Sequence, residues 1–285
     1  MVTSLKIGFI GQGWIGKNYA DDFEERGYNV IRYSKEPQYD KNKDHIAECD
    51  IVFIAVPTPT TPNGFEDNII REVIPLVGKG KIAVMKSTIV PGKTVEIQSA
   101  FPDIILLYSP EFLSEATARQ DTSNPFSSIV GYPVDSEKHK EAAQKVLEVL
   151  PKAPFSLVCT STEAEMIKYS HNVSGFIQII FFNMMYDLAT SLHCDWDVIH
   201  KAISNDPFMS HKYAKPVHKN GRGAGGHCFI KDFEAFYRRY KEAFPNDKHG
   251  QLIFKSNISK NIELLLSTNK DVPLLQGVYG DVIIE

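Results

Sequence analysis

The sequence predicts an α/β protein, a Rossmann-like doubly wound sheet followed by an all-helical domain with a long dimerising helix. Three observations carry that expectation. Residues 5–10 form a short apolar run that ends in Gly11-Gln12-Gly13-Trp14-Ile15-Gly16 and passes directly into a helical pattern. Further short runs rich in Val and Ile recur at 51–56, 82–85, 104–108, 128–132 and 155–159. From Ser161 onward the pattern turns helical, with no proline from there to about His193.

Taken in order, residues 5–10 are the first strand, and the helix that follows runs to Arg26, where Gly27 stops it. Residues 30–33 are the second strand. Strand, GxGxxG, helix and strand within about thirty residues is the context of a dinucleotide-binding fingerprint. The first glycine makes the tight turn, the second admits a pyrophosphate, and the third lets helix pack on strand. The helix N-terminus then offers N–H groups to the phosphates. Later runs of this length and composition suit strands of a buried, mostly parallel sheet. Two of them end in hydroxyl-rich turns, Pro57-Thr58-Pro59-Thr60 and Lys86-Ser87-Thr88, at the strand ends where ligands bind in open α/β sheets. Ser161-Thr162-Glu163-Ala164-Glu165 reads as a capping box with Ser161 or Thr162 as the cap. Helical segments follow at 196–204, 232–243 and 250–267. The domain boundary is expected near Thr160, giving a dinucleotide-binding domain over 1–160 and a helical substrate and dimerisation domain over 161–285.

Composition narrows the function. The chain has 285 residues, 43% hydrophobic and 23% charged, ordinary values for a globular protein with a sizeable core. Its net charge of −4 gives no electrostatic case for nucleic acid or an anionic membrane. The most apolar stretch, 176–182, is read as too short to span a bilayer, and the N-terminus lacks the pattern of a leader. The four cysteines show no CxxC pair, so free thiols in a reducing cytoplasm are expected, with no metal site.

The chemistry concentrates in Gly225-Gly226-His227-Cys228-Phe229-Ile230-Lys231-Asp232. Two glycines allow close approach of a ligand to backbone. They deliver a cysteine beside His227 and Lys231, and nearby positive charge favours the nucleophilic thiolate. Lys168 and Asn172 lie four apart on the long helix and share a face. Glu111 and Glu115, again four apart, follow Ser109-Pro110 at a strand end, and Thr88 ends another strand. Taken singly, each has a plainer reading: a solvated polar pair, a surface turn, a helix cap at Asp232.

Together these segments closely resemble the UDP-glucose/GDP-mannose dehydrogenase family. The glycine motif, Val56-Pro57-Thr58-Pro59, Lys86-Ser87-Thr88-Ile89-Val90-Pro91-Gly92, Ser109-Pro110-Glu111-Phe112-Leu113-Ser114-Glu115, Glu163 to Asn172 and the Cys228 segment occur in that family's order over residues 5 to about 265. The His227-Cys228 pairing looks most like the branch oxidising UDP-N-acetylmannosamine. The resemblance implies four-electron oxidation of the C6 alcohol of a nucleotide sugar, of UDP-hexose type, to the carboxylate. Cys228 would carry a thiohemiacetal and then a thioester. Lys168 and Asn172 would stabilise the oxyanion, and Asp232 would position Lys168 or a water. Glu111 or Glu115, with Thr88, would activate the hydrolytic water, a choice the sequence leaves open. For the cofactor it implies NAD held by Gly11, Gly13, Trp14, Ile15, Gly16, Ser34, Lys35, Thr58, Thr88 and Lys231. For the substrate it implies Phe112, Leu113, Lys168, Asn172, Arg222, Gly225 and Gly226. A cytoplasmic homodimer is expected, with a small-molecule nucleotide-sugar substrate and neither nucleic acid nor membrane as partner.

Four departures from the family pattern bear on this. The chain ends at Glu285, which suggests a shortened form lacking the C-terminal UDP-binding domain. The segment between Tyr33 and Ile51 is short. Phe208 stands where the family has an arginine that reaches the substrate across the dimer. Ser34 replaces the acidic residue that binds the adenosine ribose, and Arg32 and Lys35 beside it leave room for NADP. Two other readings stay open: a two-electron β-hydroxyacid-type dehydrogenase, which shares the two-domain plan and the Lys-x-x-x-Asn pair but lacks the cysteine loop, and a catalytically idle dinucleotide-binding protein.

Overall fold

A computed structural model describes residues 5–281. In chain order the strands and helices are β1 (Lys6–Ile10), α1 (Trp14–Glu25), β2 (Asn29–Tyr33), α2 (Pro37–Asp40), β3 (Ile51–Ile54), β4 (Thr60–Thr61), β5 (Gly64–Phe65), α3 (Asn68–Val73), β6 (Ile82–Met85), α4 (Lys93–Ala100), β7 (Ile105–Tyr108), α5 (Ala118–Ser123), β8 (Ser127–Tyr132), α6 (Glu137–Val149), β9 (Phe155–Thr160), α7 (Ser161–Ser191), α8 (Trp196–Ile203), α9 (Gly226–Ala243), α10 (Lys248–Ser267) and α11 (Val272–Tyr279). They divide into two compact units. One comprises the chain up to Thr58 with Glu66–Lys168, the other Pro59–Phe65 with the chain from Tyr169 on.

The first unit is built on a seven-stranded sheet of order β2-β1-β3-β6-β7-β8-β9. Every neighbouring pair is parallel except β7 and β8. Its central strands are apolar on both faces: Ile7, Phe9, Ile51, Phe53, Val84 and Leu107 on one, and Val52, Ile54, Met85 and Leu106 on the other, have no exposed surface. Phe9 stacks on Phe53 with ring centres 5.0 Å apart, and Phe23 of α1 meets Phe9 edge-on at 5.4 Å. That cluster fixes α1 against the sheet. Because β2 and β3 flank β1 on opposite sides, the strand order reverses at β1. The carboxyl ends of β1 and β3 are therefore the ligand-binding edge.

The second unit is helical around Phe176, Ile180, Phe233, Tyr237 and Leu264, with Phe176 and Phe233 stacked at 3.8 Å. A smaller cluster joins Ile230, Leu265, Leu275 and Val278. This unit also holds the β4–β5 hairpin, which sequence patterning read as turn; Arg238 Nη1 donates to Thr61 O at 2.8 Å and ties the hairpin to α9.

Three local readings are corrected. The capping box of α7 uses Thr160 rather than Ser161 or Thr162: Glu163 Oε2 accepts from Thr160 N at 2.8 Å and Thr160 Oγ1 at 2.7 Å, and Thr160 Oγ1 accepts from Glu163 N at 3.4 Å. Secondly, α9 begins six residues before Asp232, because Gly225 and Gly226 lie at the start of the helix rather than breaking it. Asp232 is thereby interior to α9 and is no cap. Thirdly, the apolar stretch at 176–182 belongs to a 31-residue helix, long enough to cross a membrane, with an 18-residue window of mean hydropathy 1.2. Its buried Glu165, Lys168, Asn172 and Asn183 all have hydrogen-bond partners, which is how a core helix of a folded protein carries polar groups.

Candidate active site

At the end of β1 the glycines do distinct jobs. Gly11 is left-handed (φ 91°), and a Cβ there would lie 2.2 Å from Ala55 O. A Cβ at Gly16 would lie 1.9 Å from Gly11 O, so helix and loop touch backbone to backbone. A Cβ at Gly13 would meet nothing within 4 Å. Gly13 is also the N-cap of α1, and its residue type supplies no capping side chain. Open space in front of an uncapped helix N-terminus fits a dinucleotide pyrophosphate. Trp14 is exposed, and with Asn18, Glu115 and Arg119 it lines a cleft of about 670 Å³ in this unit. Ile15 packs against the sheet core.

At the end of β2, Ser34 Oγ accepts from Glu36 N at 3.3 Å. The guanidinium of Arg32 turns back onto α1, pairing with Asp21 at 2.6 Å and Glu24 at 2.7 Å. It is therefore not the free partner for a 2′-phosphate that the sequence suggested; Lys35 remains, exposed, with Glu72 3.2 Å away. Thr58 and Thr88 are both buried, and Thr58 Oγ1 donates to Thr88 O at 2.8 Å. Ser87 Oγ accepts from Val56 N and donates to Val56 O, so the turns after β3 and β6 are stitched together.

The two glutamates left open by the sequence differ sharply. Glu115 is exposed, whereas Glu111 is buried. Glu111 Oε1 accepts from Lys168 Nζ at 3.0 Å, and Leu113 N–H donates to Oε2 at 2.8 Å. Lys168 Nζ also donates to Glu111 O at 2.6 Å and lies 5.3 Å from the Phe112 ring centre. Burial works to raise the Glu111 pKa, but the Lys168 charge and the Leu113 N–H outweigh it and hold the carboxyl below its usual range. Glu111 is thus a carboxylate at neutral pH.

Beside this pair lies a residue that sequence reasoning did not single out. Lys86 is 2% exposed and donates to Ser109 O at 3.2 Å and Ser109 Oγ at 3.1 Å. Its ammonium sits 4.3 Å from the centre of the Tyr19 ring. Burial pushes its pKa down to about 7, with the Glu111 charge opposing and the Lys168 charge assisting. The available signal was its place at the end of a wholly apolar strand.

In the second unit, Cys228 is exposed in the first turn of α9. Asp232, one turn on and 1% exposed, accepts from Asn172 Nδ2 at 2.7 Å and pairs with Lys231 Nζ at 2.5 Å. Arg222 is held on α7: Nε donates to Asn183 Oδ1 at 2.8 Å and Nη2 pairs with Asp187 at 2.7 Å. Phe208 is 95% exposed. The structure therefore brings together Glu111, Leu113 and Lys168 in one unit, and Asn172, Lys231 and Asp232 in the other. Among the described residues, no group of three or more His, Cys, Asp or Glu is arranged to hold a metal.

Comparison with known proteins agrees with these features. Residues 33–150 match the NAD binding domain of the UDP-glucose/GDP-mannose dehydrogenase family, and residues 162–257 match that family's central domain. The chain is 28% identical over 253 residues to the UDP-glucose 6-dehydrogenase TuaD of Bacillus subtilis, covering 84% of this chain and 52% of TuaD. It spans about half the length of the curated relatives it matches. In fold it resembles a UDP-glucose dehydrogenase from Pyrobaculum islandicum, with a TM-score of 0.77 at 24% identity over 92% of this chain and 69% of that one. It also resembles the 3-hydroxyisobutyrate dehydrogenase of Mycobacterium tuberculosis, with a TM-score of 0.72 at 16% identity over 96% of this chain and 99% of that one. The two family domains follow one another in register with the nucleotide-binding and helical parts of the sequence, and the chain belongs to the UDP-glucose/GDP-mannose dehydrogenase family.

Proposed function

We propose that the chain oxidises the C6 alcohol of a nucleotide sugar, of UDP-hexose type, to the carboxylate. The observation that carries this is Cys228 on an exposed helical turn, preceded by two glycines and followed one turn later by the buried Asp232. When bound, NAD supplies the hydride acceptor for both oxidations. The thiolate of Cys228 adds to the C6 aldehyde, forming a C–S bond and a thiohemiacetal. Loss of the second hydride leaves a thioester, and water cleaves the C–S bond to return the thiol and release the carboxylate. A covalent tether keeps the aldehyde from escaping between steps.

Lys168 supports charge on the oxyanion, as an ammonium suits a developing alkoxide. Asn172 assists it and is oriented by its bond to Asp232. Of the two candidates for activating the hydrolytic water, Glu111 is favoured over Glu115, because it is buried, ionised and bonded to Lys168, with Thr88 as a further hydroxyl. The first unit is read as the cofactor domain and the second as the substrate and dimerisation domain. Phe112, Leu113, Gly225 and Gly226 serve the substrate; Ser34, Lys35, Thr58 and Lys231 serve the cofactor. Arg222 is bound to α7 and Phe208 stands in place of an arginine, which withdraws two cations from a diphosphate, so nucleotide sugars are expected to bind weakly. The protein is read as a cytoplasmic homodimer assembled through α7. Ile177, Phe181, Met184, Met185, Leu188 and Leu192 form an exposed stripe at helical spacing, which a twofold-related copy would cover.

The test is mass spectrometry of Glu111→Gln incubated with NAD and a nucleotide sugar. A mass increment on the Cys228 peptide, absent in Cys228→Ser, is expected. Turnover with Cys228 never modified would overturn the mechanism. The likeness to 3-hydroxyisobutyrate dehydrogenase over 99% of that chain keeps a two-electron alcohol oxidation as the second reading.

A further inference from the structure

The glycine-rich segment before Cys228 is held along its length by the end of α10 and the turn that follows it. Arg222 N–H donates to Thr268 Oγ1 at 3.0 Å, and Lys270 Nζ donates to Gly223 O at 2.9 Å. Asn261 takes both main-chain groups of Ala224, accepting from its N–H at 2.7 Å and donating to its carbonyl at 3.0 Å. Gly226 N–H donates to Asp271 Oδ2 at 2.7 Å. The fit is close, and a side chain at either of two glycines would displace Lys270 or Asp271. A Cβ at Gly221 would stand 2.7 Å from Lys270 Cβ, and one at Gly225 would stand 2.1 Å from Asp271 Oδ2.

The turn itself is shaped for this contact. Asn269 and Asp271 are both left-handed, with φ of 51° and 53°, and this sharp reversal places Lys270 and Asp271 against the loop. Lys270 is only 9% exposed, a costly place for an ammonium unless it is bonded. Gly226 opens α9, so the Asp271 carboxylate satisfies a donor that the helix leaves unpaired at its N-terminus, two residues ahead of Cys228. The thiol projects from that first turn, and whatever fixes the turn fixes its direction.

We infer that Lys270 and Asp271 are positioning residues for Cys228: they lock Gly223–Gly226, and so the first turn of α9, in the one arrangement that presents the thiol. Their effect on turnover rests on Cys228 being the nucleophile; their effect on the turn does not. Neither touches the reacting atoms.

The experiment compares full-length wild type with Asp271→Gly, Asp271→Asn and Lys270→Met. Glycine is chosen over alanine because it accepts the left-handed backbone, so only the carboxylate is lost; asparagine also tolerates that backbone and keeps an acceptor. In Asp271→Gly, amide exchange over residues 222–230 should quicken by about tenfold or more, with residues 233–243 little changed. With a nucleotide sugar and NAD, kcat should fall about tenfold while KM for NAD holds, and Asp271→Asn should restore both readouts to within about threefold of wild type. Lys270→Met should resemble Asp271→Gly. Wild-type exchange over 222–230 in Asp271→Gly would overturn the inference. So would a kcat loss that Asp271→Asn does not rescue. If the wild-type chain oxidises no nucleotide sugar, the proposed function fails, while the exchange comparison still decides whether the clamp exists.

Discussion

A single buried cluster in the first unit, Lys86, Glu111 and Lys168, sets two lysines against one carboxylate. Burying charge is tolerated only with partners, and removing one partner costs more than the pair is worth. Lys168→Met should therefore destabilise the protein by about 3–5 kcal/mol, because Glu111 is left buried without its charge partner; urea unfolding measures it, and a loss under about 1 kcal/mol would contradict it. Lys86 behaves oppositely. Its folded pKa, about 7, lies below the ordinary 10.5, so between these values the unfolded chain holds a proton that the folded chain has released. Stability from this group is thus present at high pH and declines as pH falls from 10.5 through 7. Lys86→Met should gain on wild type as pH drops from about 9 to about 6. Urea midpoints that run parallel over that range would refute the assignment. Little of this was legible in the residues. Glu111 and Glu115 are indistinguishable by spacing, and only burial separates them; Lys86 follows four apolar residues, and a lysine there reads as the point where a strand reaches water.

Elements were easier to read, because they follow from local chemistry. The strand–glycine–helix unit was foreseen since Gly11 and Gly16 answer steric demands made within their own few residues or by the adjacent strand. That logic separates two mutants. Gly16→Ala places a Cβ 1.9 Å from a main-chain oxygen and should both destabilise the fold and weaken cofactor binding. Gly13→Ala meets no protein atom, so stability should be kept while NAD affinity falls about tenfold or more, about 1.4 kcal/mol. Calorimetric titration beside thermal melts decides it; unchanged NAD affinity in Gly13→Ala would remove the pyrophosphate from that space. The start of α9 was misread because glycine pairs usually break helices, and only the long-range bonds from Asp271 and Asn261 show why this pair begins one. The α7 stripe makes a further claim: Leu188→Glu should convert a dimer to monomer by light scattering at micromolar protein, and a wild-type chain that is already monomeric would dismiss the interface.

At the scale of the whole molecule, the nucleotide-binding sheet and the helical region were legible because the hydrophobic period changes at residue 161. The short β4–β5 hairpin was not. It lies early in the sequence yet packs in the second unit, a non-local contact that no local pattern encodes. The central claim is a four-electron oxidation carried on Cys228, and it is separated from a two-electron alcohol oxidation on the same fold by counting. A panel of nucleotide sugars is incubated with excess NAD, and NADH formed is compared with sugar consumed. Two NADH per sugar, with a uronate product and loss of the second equivalent in Cys228→Ser, is the result expected. One NADH per alcohol, unaffected by Cys228→Ser, would contradict it.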